Sequence, residues 1–311
     1  MIKRYTIDNG KIIETPEDGL IHLYINPAEA EKRFLIDKLQ VDEHTLTSSL
    51  DPNELGRIEF DNGHVALIIK RPKRYSAADN FLFKVESVGL FMFKTQLIMV
   101  INEEFPVFEG RQVAKVSDIK DLVLKIIHRS TFHFEEHLKV ISMCSDELET
   151  GINKSIGNQQ LLSMFTLEKS LVFYLNAIGS NGRVIDKIKS TAGKMGLSQD
   201  QIELLDDLAI ENAQCNEMAT IYSQVISGLM DARASVISNN LNVMMKNLNA
   251  LVIAVSVPSF FAGVGGMSEF SNMIGFKHWL LGYPVFLLAM LLMGISTFFI
   301  IKKVESFWKE R

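Results

Sequence analysis

The chain has 311 residues, 47% hydrophobic and 22% charged, with a formal net charge of −5. The charge is unevenly placed: from residue 232 onward seven lysines and arginines face three glutamates, so this part carries +4 and residues 1–231 carry −9. An acidic body with a basic-flanked apolar tail argues against a nucleic-acid binder and points to a membrane protein with a large aqueous domain.

The opening segment, MIKRYTIDNG, has no apolar core of the kind a cleavable signal needs. Up to about residue 112 short β-rich runs alternate with turn signals: LIHLYI, RIEF followed by DNG, HVALIIK, VGLFMF and LIMVIN. A helical stretch, AEAEKRFLIDKL, follows Pro27. These runs predict a mixed α/β domain over 1–112. From Val116 the strand signals fade and helical periodicity takes over, with breaks expected near Gly151, Gly179–Gly182 and Gly193–Gly196. Cys144 and Cys215 lie far apart without a CxxC partner, which suits a reducing compartment.

Near Gln201 begins a stretch whose only helix breakers before the apolar end are Gly228 and Pro258. It predicts a single helix of about 65 residues, roughly 100 Å long. Read alternately every three and four residues, it gives Gln224, Gly228, Asp231, Ser235, Ser238, Asn242, then Met245, Asn249, Val252, Ser256, Ser259 and Gly263; only Val252 is aliphatic. The neighbouring registers hold residues such as Leu241, Leu251 and Val255. Polar side chains facing lipid are costly, so a polar stripe that continues into an apolar segment needs partners. It is either helix–helix glue or the lining of a water-filled pore. Two spans cannot enclose a pore alone, so the pore reading requires an oligomer.

Two segments free of charge, Asn247–Ser268 and Trp279–Ile301, each exceed the roughly 20 helical residues that a bilayer core requires. Lys246 precedes the first; Lys302, Lys303, Lys309 and Arg311 follow the second. The positive-inside rule then places both termini in the cytoplasm and the segment 269–278 outside. The expected organisation is an α/β domain over 1–112, helices including a pore stalk over 113–245, membrane helices over 246–268 and 279–301, and a basic tail over 302–311.

The order GLMD at 228–231, SNNLNVMMKNLN at 238–249, FFAGVGGM at 260–267 and GYPVFLLAM at 282–290, with a lysine-bearing tail, resembles the CorA family of divalent-cation channels. The resemblance is clear over about 222–311. It implies a homopentamer with a cytoplasmic funnel, two membrane helices per subunit with the first lining the pore, and a bacterial or archaeal plasma membrane. Carried over residue by residue, it makes Asn242, Met245, Asn249, Ser256 and Ser259 pore-facing. At the pore mouth, where the family carries Tyr-Gly-Met-Asn, this chain has Gly265, Gly266, Met267 and Ser268, followed by Glu269. Serine is shorter than asparagine and offers one hydroxyl oxygen, so a Ser268 ring is expected to hold a hydrated ion less firmly. A ring of Glu269 carboxylates is expected to concentrate cations. The substrate implied is a divalent cation, Mg²⁺ first, then Zn²⁺, Co²⁺ or Ni²⁺. The same cation is implied as a regulator, bound between cytoplasmic domains by carboxylates for which Asp206, Asp207 and Glu211, facing Asp79 or Glu86 of a neighbour, are candidates.

Two other readings follow from the residues. HFEEH at 133–137 satisfies the H-x-x-E-H pattern of a zinc peptidase, although His128, His133 and His137 are expected on a solvated helix face. The altered mouth is compatible with a non-conducting sensor or scaffold. No phosphate-cradling glycine loop is present, so ATP-driven transport is not expected.

Overall fold

The computed structural model describes residues 1–16, 19–61, 63–151, 158–266, 272 and 279–309. It divides into two compact units, Met1–Met230 and Asp231–Arg311.

The first unit is built on seven strands: β1 (Ile2–Asp8), β2 (Lys11–Glu14), β3 (Ile21–Ile25), β4 (Arg57–Phe60), β5 (His64–Pro72), β6 (Val85–Phe93) and β7 (Leu97–Ile101). They form one sheet in the order β2-β1-β3-β7-β6-β5-β4. Only β3 and β7 run parallel. The period-two alternation of side chains sorts each strand into two faces. Leu97, Met99 and Ile101 of β7 enter one core together with Leu67 and Ile69 of β5 and Val88 and Leu90 of β6. Ile98 and Val100 enter another with Tyr24, Ala66 and Phe91. The central strands are covered on both sides, which is why they read as continuous apolar runs rather than alternating ones.

The short helices α1 (Glu29–Asp37) and α2 (Glu43–Ser48) cover the second face through Leu35 and Leu46. Asp42 caps α2 by accepting from Thr45 N at 2.8 Å. The first face is covered by α3 (Ile119–Gly151) and α4 (Asn158–Ser190), whose Leu122, Ile126, Val184 and Ile188 share its core. After α5 (Ala192–Met195), Gly196 adopts a left-handed conformation, and α6 (Gln199–Gly265) begins. This 67-residue helix is the single long helix expected from the sequence. A third core joins α3, α4 and the first part of α6 around Phe134, Leu171, Tyr174, Cys215 and Ile226.

The expected break at Gly179–Gly182 is absent: α4 runs through it. A Cβ at Gly182 would stand 2.9 Å from Asn212 Nδ2. The glycine therefore admits close approach of α6 rather than ending a helix. By length and composition α4 could also cross a membrane, but 39% of its apolar window is buried inside the first unit. The last helix, α7 (Trp279–Lys309), is apolar over Leu281–Val304 and its most apolar stretch has no buried residue.

Candidate ion pathway and the associated polar groups

In the second unit α6 packs on α7 through small residues. Ala250 and Ala254 are buried. A Cβ at Gly294 would meet Ala254 O at 3.1 Å and Pro258 Cγ at 3.3 Å, so glycine there lets α7 lie close on α6. Pro258 has no N–H, which leaves the Ala254 carbonyl without its usual intrahelical donor. Across this seam a groove of about 560 Å³ is lined by Leu251, Val255, Leu287 and Phe299 among others.

Asn242, Met245, Asn249, Ser256 and Ser259 are all exposed in the protomer. At 100° per residue they centre about 150° round the helix from the Ala250–Ala254 face that meets α7. Asn242, Met245, Asn249 and Ser256 thus lie on the side of α6 turned away from α7, whereas Ser259 borders the groove at the seam. Ser256 Oγ donates to Val252 O at 2.7 Å and Ser259 Oγ to Val255 O at 2.8 Å. Each hydroxyl proton is spent on the backbone, which leaves oxygen lone pairs to face water or a cation. Gly266 follows the last residue of α6, its N–H donating to Ala262 O at 3.0 Å. Met267, Ser268 and Glu269 lie outside the described residues.

The carboxylates considered as regulators are not gathered within the protomer. Glu86 is buried and paired with Arg71 Nη2 at 2.5 Å and Lys73 Nζ at 3.3 Å. Within the protomer its carboxylate is engaged by a buried guanidinium, a charge that would be left unpaired if Glu86 turned to an ion between subunits. Asp79 accepts from Ser76 N at 2.8 Å and Ser76 Oγ at 2.9 Å, as a turn cap. These bonds hold its carboxyl below the usual range. Lys189 Nζ lies 2.6 Å from Asp206 Oδ1, an ion pair whose angles do not make a hydrogen bond. Glu211 pairs with His128 Nε2 at 2.9 Å. Asp207 is exposed.

The histidines of HFEEH are not on a solvated face. His137 is 9% exposed, its Nδ1 lies 2.6 Å from Tyr174 Oη, and its ring stacks on that of Tyr174. Burial lowers both His133 and His137 to about 4, with Arg71 adding to the effect. Among the described residues no group of three His, Cys, Asp or Glu could hold a metal ion. The peptidase reading therefore has no support in the geometry. These folded-state values lie below the ordinary 6.5, so protons favour the unfolded chain. Stability from the neutral imidazoles is complete above pH 6.5 and is lost as pH falls towards about 4. Thermal melts of the full chain should show a lower midpoint at pH 5 than at pH 7.5. The double variant His133→Gln, His137→Gln should have a smaller difference; an equal difference would contradict this assignment.

Asn181 escaped the sequence reading. Fully buried on α4, it accepts from Lys70 N at 2.8 Å and donates to Lys70 O at 2.7 Å, taking the place of a neighbouring strand at that point of β5. Lys70 Nζ turns the other way to Ser87 Oγ at 2.7 Å and Pro52 O at 2.8 Å, and burial pushes it down to about 8. One asparagine inside a helix gives no such signal in sequence.

The family model described as CorA-like Mg²⁺ transporter protein matches residues 21–303. The chain is 23% identical over 257 residues to a cobalt/magnesium transport protein CorA of Methanocaldococcus jannaschii, covering 78% of each chain. It is 22% identical over 268 residues to the cobalt/magnesium transport protein CorA of Thermotoga maritima, covering 83% of this chain and 74% of that one. The complete structure of the CorA magnesium transporter from M. jannaschii superposes with a TM-score of 0.76 at 18% identity, covering 96% of both chains. Its likeness confirms the α/β domain, the long helices and the C-terminal helix. With a matching family model that takes in nearly its whole length, the chain belongs to the CorA-like Mg²⁺ transporter family.

Proposed function

We propose that this protein carries divalent cations across a membrane through a homopentameric pore lined by α6, with α7 outside it. The observation that carries the reading is the polar stripe from Asn242 to Ser256, on the side of α6 turned away from α7, with Ser259 at the edge of the seam. Its described members offer amide and hydroxyl oxygens, with Met245 the one soft ligand, and no histidine or cysteine. Hard oxygen donors suit Mg²⁺, which gives up its water reluctantly and is passed with part of its hydration shell. Cobalt and magnesium in the names of the two curated relatives support the same class, with Mg²⁺ first and Co²⁺, Ni²⁺ and Zn²⁺ next. Ser268 and Glu269 form the mouth in this reading. Cation binding to the cytoplasmic domain closes the pore, with Asp207 the least committed carboxylate, joined by Asp79, Asp206 or Glu211.

Assembly and topology give the direct test. Native mass measurement in detergent should find five copies of the chain. Single cysteines at Ser271 and Ser306, in a chain from which Cys144 and Cys215 have been removed, should be labelled by an impermeant reagent from opposite sides of the membrane. Labelling of both from outside, or a stable dimer, would contradict the proposal.

A further inference from the structure

A cavity of about 380 Å³ in the first unit takes no part in the ion pathway. It opens beside β5, the segment 105–112 and α3, and its walls differ in character. Val88, Phe105 and Ile126 make an apolar side, and Arg71, Arg74 and Arg129 bring three guanidinium groups.

These cations are short of acceptors. Arg71 is 7% exposed, lies over the Phe105 ring at 3.4 Å, and spends Nη2 on Glu86 and Nη1 on Pro72 O at 3.2 Å. Its Nε, sealed from solvent, has no hydrogen-bond partner. Arg129 is half-buried, and its Nη1 donates to Val107 O at 3.3 Å. Among the described residues no carboxylate comes within 4.0 Å of Arg129 or of Arg74. Glu109 and Glu136 also line the cavity, but both are exposed and neither closes an ion pair with an arginine. Arginine stays charged in proteins, so the donors of Arg129 and Arg74 that no carboxylate fills are open to water or to an entering anion. The neighbouring His133 senses the same surplus: after burial and His137, the charges of Arg71, Arg129 and Arg74 act to keep it neutral.

The geometry points to a binding site for a small organic oxyanion, a carboxylate or phosphate ester on an apolar body. The headgroup is held by the donors of Arg129 that no carboxylate fills, with Arg74 at the entrance; Arg71 stands behind, its charge met by Glu86. The body lies against Phe105, Val88 and Ile126. The planar guanidinium fork matches both headgroups in two-point fashion, and the volume is within the range of small-molecule sites. This goes beyond cation transport and does not depend on the pore.

Isothermal titration calorimetry on the full-length protein in detergent, at fixed ionic strength, tests it with benzoate and phenyl phosphate as probes and benzyl alcohol as the uncharged control. The expected result is saturable binding of at least one anion, one per protomer, weakened about tenfold or more by Arg129→Gln, with no binding of benzyl alcohol. Which probe binds tells a carboxylate from a phosphate ester. If Arg129→Gln does not fold, competition on the unaltered protein decides, since inorganic phosphate should displace the bound anion. Absence of saturable binding by both anions, undiminished binding in a folded Arg129→Gln, equal binding of benzyl alcohol, or failure of phosphate to compete would each overturn the assignment.

Discussion

Asn249→Leu and Ser256→Leu are each expected to reduce divalent-cation flux to the level of protein-free vesicles, while Leu251→Ala leaves most of it intact. In a pentamer one substitution becomes a ring of five. A leucine ring replaces oxygen ligands by branched hydrocarbon, and a narrow apolar constriction empties of water and stops ions. Leu251 is 53% exposed in the protomer but lines the groove against α7, so its trimming removes packing and not ligands. Flux is read by an ion-sensitive dye trapped in vesicles. Retained flux in both leucine variants, or equal loss in Leu251→Ala, would mean that the stripe is helix–helix glue and not a pathway.

Glu86→Gln is expected to destabilise the first unit by about 3–5 kcal/mol, the usual consequence of removing one partner of a buried ion pair. Glu86 and Arg71 are each 9% exposed at the side chain and 2.5 Å apart. The glutamine retains shape and can accept a hydrogen bond, but leaves the guanidinium charge without its counter-ion. Lys73, 36% exposed, keeps Glu103 as a partner and is less affected. Denaturant unfolding of the full chain measures the effect. A variant of unchanged stability whose ion-dependent closure is altered would restore Glu86 as a regulatory ligand.

Much of this architecture is legible in the sequence because the underlying signals are strong. The runs HVALIIK, VGLFMF and LIMVIN became β5, β6 and β7, since strands covered on both faces are apolar throughout. The long α6 followed from the scarcity of helix breakers over 201–267. The edge hairpin β1–β2 was not singled out, because Lys3, Arg4 and Lys11 interrupt its apolar residues on a half-exposed rim. Glycines at 179 and 182 read as a break in the sequence, and the nearness of Asn212 shows why Gly182 belongs inside a helix. The sequence places His133 and His137 on a solvated face; the Tyr174 ring stacked on His137 comes from another helix, which the sequence does not show. The stripe was legible from period alone, whereas the occupation of Glu86 by Arg71 depends on the register of β5 against β6.

The central claim is that the chain conducts divalent cations, and uptake into sealed proteoliposomes tests it most directly. Purified full-length protein is reconstituted at low density, and Mg²⁺, Co²⁺, Ni²⁺ and Zn²⁺ are offered in turn from outside against a trapped dye. The account predicts saturable uptake above protein-free vesicles for Mg²⁺ and at least as fast for Mg²⁺ as for Zn²⁺, because the pathway offers oxygen ligands. No uptake of any of the four cations by pentamers confirmed in the same preparation would contradict it and leave the membrane-anchored sensor as the reading.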